Sequence, residues 1–359
     1  MKEMLASKRN EAEVIENNKG TLVDRLINLI DERKSNQEIC EELDIESQEL
    51  YKMLVDLKEN GREIVKKYYS DGSIHYGLVH SLDFMDTLKS LGSYQTIFSD
   101  SREKNMKFLL ISDLHFGNKL DRVDLVNRAF DYCIKNDINV IICGGDLIDG
   151  SFTKGDQRIS DIEEQLQFFL ENYPHDDNIL TFSVAGDHDA SAIKEAGINI
   201  SRLCNTYRPD VVVGGFANMG INIKNDLIMV HHSISDGDFP STRAPIILHG
   251  HSHAYKLDDT RDKLDICLPS LSDIQTNIPS ALELEVEFKN KYFSTTSVKQ
   301  IYFGEKDIIL GEAIFDLYSD KRVIDKTINN EEYYKKEHIK ALQPMSQIDK
   351  FNNRWNRNK

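Results

Sequence analysis

Residues 107–116 read KFLLISDLHF, and the rest of the chain is arranged around them. Phe108–Ile111 are apolar without interruption, the pattern of a strand buried on both faces rather than an amphipathic one. Ser112 ends the run, and Asp113 and His115 follow with Leu114 between them. Side chains two apart along a strand or its extended exit point the same way. Asp113 and His115 are therefore expected to aim at one point above the end of a sheet. A carboxylate oxygen and an imidazole nitrogen meeting there suit a divalent first-row metal.

The same event recurs downstream. Val140–Cys143 breaks at once into GGDLIDG, where Gly144 and Gly145 allow the tight turn that presents Asp146. The strand-like ILTFSVA ends in Gly186, Asp187, His188 and Asp189. Leu227–Val230 run into His231 and His232, and Ile246–Leu248 into His249, Gly250, His251, Ser252 and His253. Amphipathic helices are expected between these strands, near 122–135 and 161–172. Strand–helix–strand order implies parallel pairing, with functional groups in the loops beyond the strand carboxyl ends. A lone histidine after a strand is usually a core or surface residue, and Gly-Asp is usually a turn. Five such exits in one chain carry the inference that none carries alone.

The series DLH, GGDLID, GDHD, HH and GHSH resembles the calcineurin-like metallophosphoesterase family over about residues 107–315. The motifs look closest to its repair-exonuclease branch. The resemblance implies an α/β fold, a four-layer α/β/β/α sandwich with two metal ions at the sheet ends. Carried over by motif, Asp113, His115 and His253 hold the first metal. Asp146 bridges both, Asp187, His231 and His251 complete the second site, and His188 acts beside the leaving group or the phosphate. His232 and His249 match no ligand position and are read as groups that orient ligands or face substrate. Asp149 and Asp189 are read as braces of the loops, and Asn118 as a residue within reach of substrate.

The chemistry accounts for those residue types. Two divalent ions roughly 4 Å apart can clamp the attacking and leaving oxygens of an in-line displacement at phosphorus. A metal-activated hydroxide is the nucleophile, and His188 can protonate the departing alkoxide. Mixed imidazole and carboxylate donors favour Mn, with Fe and Zn as alternatives. The family's third motif usually reads Gly-Asn-His. Asp187 stands at the Asn position and adds a negative charge to the ligand set, so tighter metal binding is expected, with either slower turnover or tuning to a different metal.

Upstream, residues 21–80 read as three short helices and a hairpin around Asp71-Gly72. This order resembles the winged-helix modules, which implies DNA contact through the third helix and the wing. That helix carries Glu49, Asp56 and Glu59 against Lys52 and Lys58, so its exposed face is not basic. Protein docking or self-association is the competing reading. Residues 1–20 read as a frayed lead-in, 81–106 as a linker, 107–318 as the catalytic domain, and 319–359 as a basic helix and tail. Within the catalytic domain, Leu264–Leu268, the alternating ALELEVEF and Ile314–Leu317 are expected to form a second sheet, with one wet face on ALELEVEF.

The chain has 359 residues, 40% hydrophobic and 29% charged, with a formal net charge of −16. That charge argues against a broad basic face for nucleic acid. Its five cysteines are scattered and form no CxxC pair, so buried reduced thiols are expected rather than disulfides or zinc. With no apolar run of membrane-spanning length, a cytoplasmic protein without membrane contact is expected. The leading expectation is a dinuclear phosphodiesterase acting on DNA or RNA. A phosphomonoesterase and a scaffold with a vestigial site are the alternatives.

Overall fold

The computed structural model describes residues 22–78, 94–152, 155–216, 218–233, 244–260, 263–275, 278–304 and 306–317. The frayed lead-in expected at residues 1–20 and the basic helix and tail expected at 319–359 lie outside them.

The chain opens with helices α1 (residues 22–31), α2 (Asn36–Leu43) and α3 (Ser47–Glu59). Ser35 starts α2 with a reciprocal cap. Its hydroxyl accepts from the Glu38 N–H at 3.1 Å, and the Glu38 carboxylate accepts from the Ser35 N–H at 2.8 Å. Strands β1 (Ile64–Tyr69) and β2 (Ile74–Leu78) form the expected antiparallel hairpin.

Strand β3 (Tyr94–Phe98) then lies inside the span expected to be a linker. YQTIF is aromatic and β-branched, and the Ser, Asp and Gly around it masked that signal. β3 runs parallel to both β1 and β8 (Asn218–Ile223). The N-terminal hairpin is thereby a lateral extension of the catalytic sheet, not a separate body on a tether.

Strand β4 (Asn105–Ile111) contains the opening run, followed by α4 (Val123–Lys135), β5 (Val140–Cys143), α5 (Ile162–Asn172), β6 (Leu180–Ala185), α6 (Asp187–Ala196), α7 (Ile200–Tyr207) and β7 (Val211–Phe216). After β8 come β9 (Asp226–His231), β10 (Ile246–His249), β11 (Lys256–Thr260), β12 (Lys263–Cys267), β13 (Ala281–Lys289), β14 (Tyr292–Phe303) and β15 (Asp307–Asp316). These strands form an eight-stranded sheet, β11-β12-β10-β9-β8-β3-β1-β2, and a seven-stranded sheet, β15-β14-β13-β4-β5-β6-β7.

The uninterrupted apolar run of β4 divides between two cores. Phe108 and Leu110 face the space between the sheets, with Val140, Ile142, Phe182, Ile228, Val230, Ile246 and Leu248. Leu109 and Ile111 face the helix layer, against Leu125, Val126, Ala129, Leu166 and Phe169. Both rows are removed from water, which explains why the strand shows no alternation. Helices α1 and α3 and strand β2 continue the inter-sheet core through Leu26, Ile30, Leu50, Leu54 and Tyr76. The outer face of the eight-stranded sheet has its own small cluster, Met229, Ala244 and Ile247, which no described helix joins. Among the described residues, then, the fourth layer is absent from that face.

The expected second sheet also divides. β12 pairs with β10 in the eight-stranded sheet, whereas β13 pairs antiparallel with β4 itself. Nor is the acidic face of β13 wholly wet. Glu283 is buried, bound to Lys299 at 2.8 Å and to the Tyr132 hydroxyl at 2.6 Å. Tyr132 of α4 reaches over the strand, so that glutamate is paired rather than solvated.

The N-terminal elements dock where strands begin. The Gln37 amide donates to the Asp177 carbonyl at 2.6 Å, and the Ser47 hydroxyl donates to the Asp177 carboxylate. The Lys66 ammonium donates to the Asn205 carbonyl at 3.0 Å. Gly72, at the hairpin tip with φ +84°, lies so close to Asn178 that a Cβ there would collide with that backbone. Residues 174–179 lead into β6 and residues 205–210 into β7, so this contact is at the strand-entry end. No described helix is long and apolar enough to cross a membrane, and the five cysteines are free thiols.

Candidate metal centre

The Asp and His residues collect at the opposite, strand-exit end. Their convergence owes less to strand alternation than to an unusual backbone. Asp113, His115, Asp146, His251 and His253 all have positive φ, between 49° and 62°. Only a few per cent of non-glycine residues adopt this left-handed conformation, with Asp and His among the more tolerant. Five neighbours held there are strain of the kind that clusters at functional sites. Asp187 and His188 arrive differently, in the first turn of α6 rather than in a loop. A helix N-terminus favours negative charge close by.

Three overlapping groups place their donor atoms within 4.8 Å of one another: Asp113, His115 and His253; His115, Asp146 and His188; and Asp146, Asp187, His232 and His251. Asp146 belongs to the last two of these sets, and His115 links it to the first. Its Oδ1 accepts from the His188 N–H at 3.0 Å, while Oδ2 lies 3.1 Å from His232 Nε2 and 3.9 Å from His115 Nε2. A Cβ on Gly186 would strike Asp146 Oδ1, so this approach requires glycine. Asp113, His115, Asp146 and His232 are almost fully buried, whereas Asp187 and His251 are about half exposed and form the open rim.

His231 is not brought to the centre. It shares an outward-facing row with Leu227 and Met229 on β9. In parallel register it sits beside His249, with ring centroids 5.6 Å apart and planes 17° from parallel. His249 in turn lies 2.8 Å from Asp265 on β12. His232, one residue later, takes the inward position and touches Asp187 Oδ1 at 2.9 Å. The His-His doublet was the signal that a ligand lay at this exit. Which of the two it was depended on strand parity, and that is a property of the sheet.

The histidines are oriented from behind. His232 Nδ1 donates to the Gly144 carbonyl at 2.7 Å, His253 Nδ1 to the Ile274 carbonyl at 2.7 Å, and His188 Nδ1 to the Asp149 carbonyl at 2.5 Å. Each bond leaves Nε2 facing the cluster, the arrangement that fixes a metal-binding tautomer. Asp189 is a brace as expected. Fully buried, it accepts from the N–H groups of Leu147 at 3.2 Å, Ile148 at 3.0 Å and Gly186 at 2.9 Å. It thus ties the Asp146 loop to the start of α6. Asn118 is turned inward, giving its amide to Asp149 at 2.8 Å, so it supports the loop instead of reaching outward.

Charges in the centre are satisfied only among themselves. The ion pairs of Asp113, Asp146 and Asp187 involve histidines alone among the described residues. Burial would lower His232, but Asp146 and Asp187 outweigh it and raise it to about 11. Burial pushes His115 down to about 4. Hydrogen bonds from His232 and His251 hold Asp187 well below the usual carboxylate range. Asp113 Oδ2 remains fully buried with no hydrogen-bond partner. A buried carboxylate oxygen without a donor is costly and rare. With the converging Nε2 atoms it is the donor set that a divalent cation completes.

Residues 106–267 match the family model described as calcineurin-like phosphoesterase. Among solved structures, the chain is similar to a novel archaeal phosphodiesterase at 15% identity, covering 57% of this chain and 100% of that one, with a TM-score of 0.37. It is also similar to vacuolar protein sorting 29 from Cryptosporidium parvum at 17% identity, with coverages of 60% and 100% and a TM-score of 0.36. Similarity to YfcE, a phosphoesterase from E. coli, is 11%, with coverages of 53% and 98% and a TM-score of 0.35. No curated protein matches the chain significantly. The matched span contains every residue of the centre.

Proposed function

We propose that this calcineurin-like metallophosphoesterase domain is a phosphodiesterase holding two divalent ions, with a nucleic-acid-like diester as substrate. The observation that carries the reading is Asp146, whose carboxylate shares one donor set with Asp187, His232 and His251 and another with His115 and His188, His115 belonging in turn to the set with Asp113 and His253. Asp113, His115 and His253 would hold one ion, Asp187, His232 and His251 the other, and Asp146 both. Manganese suits this mixture of imidazole and carboxylate, with iron and zinc next. When bound, the ions supply Lewis acidity at the phosphoryl oxygens and a deprotonated water near neutral pH.

The chain's own residues do the rest. His188 gives its Nδ1 proton to the Asp149 carbonyl, which leaves Nε2 turned to the cluster, and its ring meets His115 edge-on at 4.6 Å. That nitrogen is positioned to hold a proton for the departing alkoxide. The preference for a diester rests on charge. Asp187 adds a third carboxylate to Asp113 and Asp146, and no described Lys or Arg pairs with any of them. A monoanionic diester is tolerated better there than a dianionic monoester.

The N-terminal module fits a docking role better than a DNA-reading one. α3 and the hairpin tip are spent on the catalytic body, at the end away from the metal centre. Manganese-loaded protein is expected to hydrolyse bis-p-nitrophenyl phosphate and labelled DNA well above the His253→Ala blank, and p-nitrophenyl phosphate weakly. Cleavage of the monoester alone would overturn the diester reading.

A further inference from the structure

Phe152 stands two residues beyond the GGDLIDG loop and is 61% exposed. Among the described residues, it is the only exposed large apolar side chain whose ring meets a histidine of the metal centre. Its centroid lies 5.1 Å from that of His188, with the planes inclined by 56°. A single exposed apolar side chain is ordinary by itself; what sets Phe152 apart is that its ring lies against His188.

The loop that carries it is anchored. Buried Gln165 grips Gly150 twice, accepting from its N–H at 2.8 Å and donating to its carbonyl at 3.0 Å. Gln157 donates to the same carbonyl. The ring is therefore presented from a fixed base beside His188. A leaving group that takes its proton from His188 Nε2 has Phe152 as the exposed apolar surface at hand.

Resting on the phosphodiesterase reading above, we infer that Phe152 is a stacking platform for a nucleobase on the leaving side of the scissile phosphate. The contact is made to the π-face, so it selects nucleotides over plain sugar or alkyl phosphodiesters without selecting among bases. No other described aromatic ring contacts the histidines of the centre from solvent, so the platform is one base deep.

The test uses the manganese-loaded full chain and two substrates, dithymidylate and its abasic tetrahydrofuran analogue, with products separated by chromatography. The wild type is expected to prefer the base-bearing substrate. In Phe152→Ala the ratio of kcat/KM, with bases over without, should fall roughly tenfold, mostly through KM, and Phe152→Trp should restore it. An equal fall on both substrates would mean that Phe152 only props His188, and would overturn the inference while leaving the phosphodiesterase reading intact. Hydrolysis of neither substrate by the wild type would count against that reading instead. A binding arm then still decides the platform: adenosine 5′-monophosphate should bind more tightly than ribose 5-phosphate, and Phe152→Ala should erase the difference. Equal binding of the two by the wild type would overturn the platform.

Discussion

At the strand-entry end, His175 lies 3.0 Å from Asp177 and 3.2 Å from Asp210, and Arg208 closes the group with a 2.7 Å bond to Asp210. The same Arg208 donates to the carbonyls of Tyr173 at 2.8 Å and Pro174 at 2.7 Å. Tyr51 of α3 packs edge-on against the His175 ring at 5.9 Å. At the strand-exit end, aspartates and histidines gather just as densely, but without a guanidinium, on left-handed backbone, and with an orphaned Asp113 oxygen. Clusters of the same residue types thus serve opposite ends. One is an internally balanced ion-pair network that seats the N-terminal module. The other is balanced only when a cation is added.

Breaking the exit cluster should have the largest effect. Asp146→Asn removes the carboxylate proposed to serve both ions, and turnover of a chromogenic diester should drop by about a thousandfold or more. A drop below tenfold would mean that Asp146 is not shared. Asp189→Ala acts at one remove, leaving the N–H groups of Leu147, Ile148 and Gly186 without their acceptor. Metal affinity should weaken roughly 10- to 100-fold, as for other residues that orient ligands. Titration of the stripped protein with manganese measures it, and unchanged affinity would make Asp189 purely a folding residue.

The entry cluster should respond in stability rather than in metal binding. Burial would raise Asp210, but Arg208 and His175 outweigh it and bring it down to about 2. A depressed carboxylate stabilises the fold above its unfolded pKa, near 4, and that contribution is lost as pH falls from about 4 to about 2. The shift corresponds to roughly 2–3 kcal/mol. Asp210→Asn should therefore lower the urea midpoint at pH 7, with the gap to the wild type closing towards pH 2.5. A gap that stays constant with pH would show that the ion pair contributes nothing. The smallest effect is expected at Asp187, where Asn is the neutral residue usual at this motif position in the resembled calcineurin-like phosphoesterases. Asp187→Asn should raise turnover severalfold and loosen the metal; slower turnover would refute the charge argument.

Much of this was legible in the sequence, and the failures have a common cause. Phe108–Ile111, Val140–Cys143 and the Asp or His that follows each strand are local patterns, and the structure brings Asp113, His115, Asp146, Asp187, His188, His251 and His253 together. The expectation named His231, whereas His232 is the one in the donor cluster, because parity along β9 is decided by which face meets the other sheet, not by the residues themselves. β3 is hard to read because four β-formers in a five-residue run among turn residues reveal their role only when β1 and β8 flank them. ALELEVEF is expected in the second sheet but joins β4 in the first, because the sequence does not record which strand takes the side of β4 away from β5. The αL backbone of the ligands was likewise invisible, since Asp and His adopt it only where surrounding contacts hold them there.

The most direct measurement of the central claim is metal content per chain after manganese loading and dialysis, in the wild type, His231→Ala and His232→Ala. The account predicts two ions in the wild type, two in His231→Ala, and one or fewer in His232→Ala. Loss of metal in His231→Ala with retention in His232→Ala, or no metal held by the wild type, would contradict it.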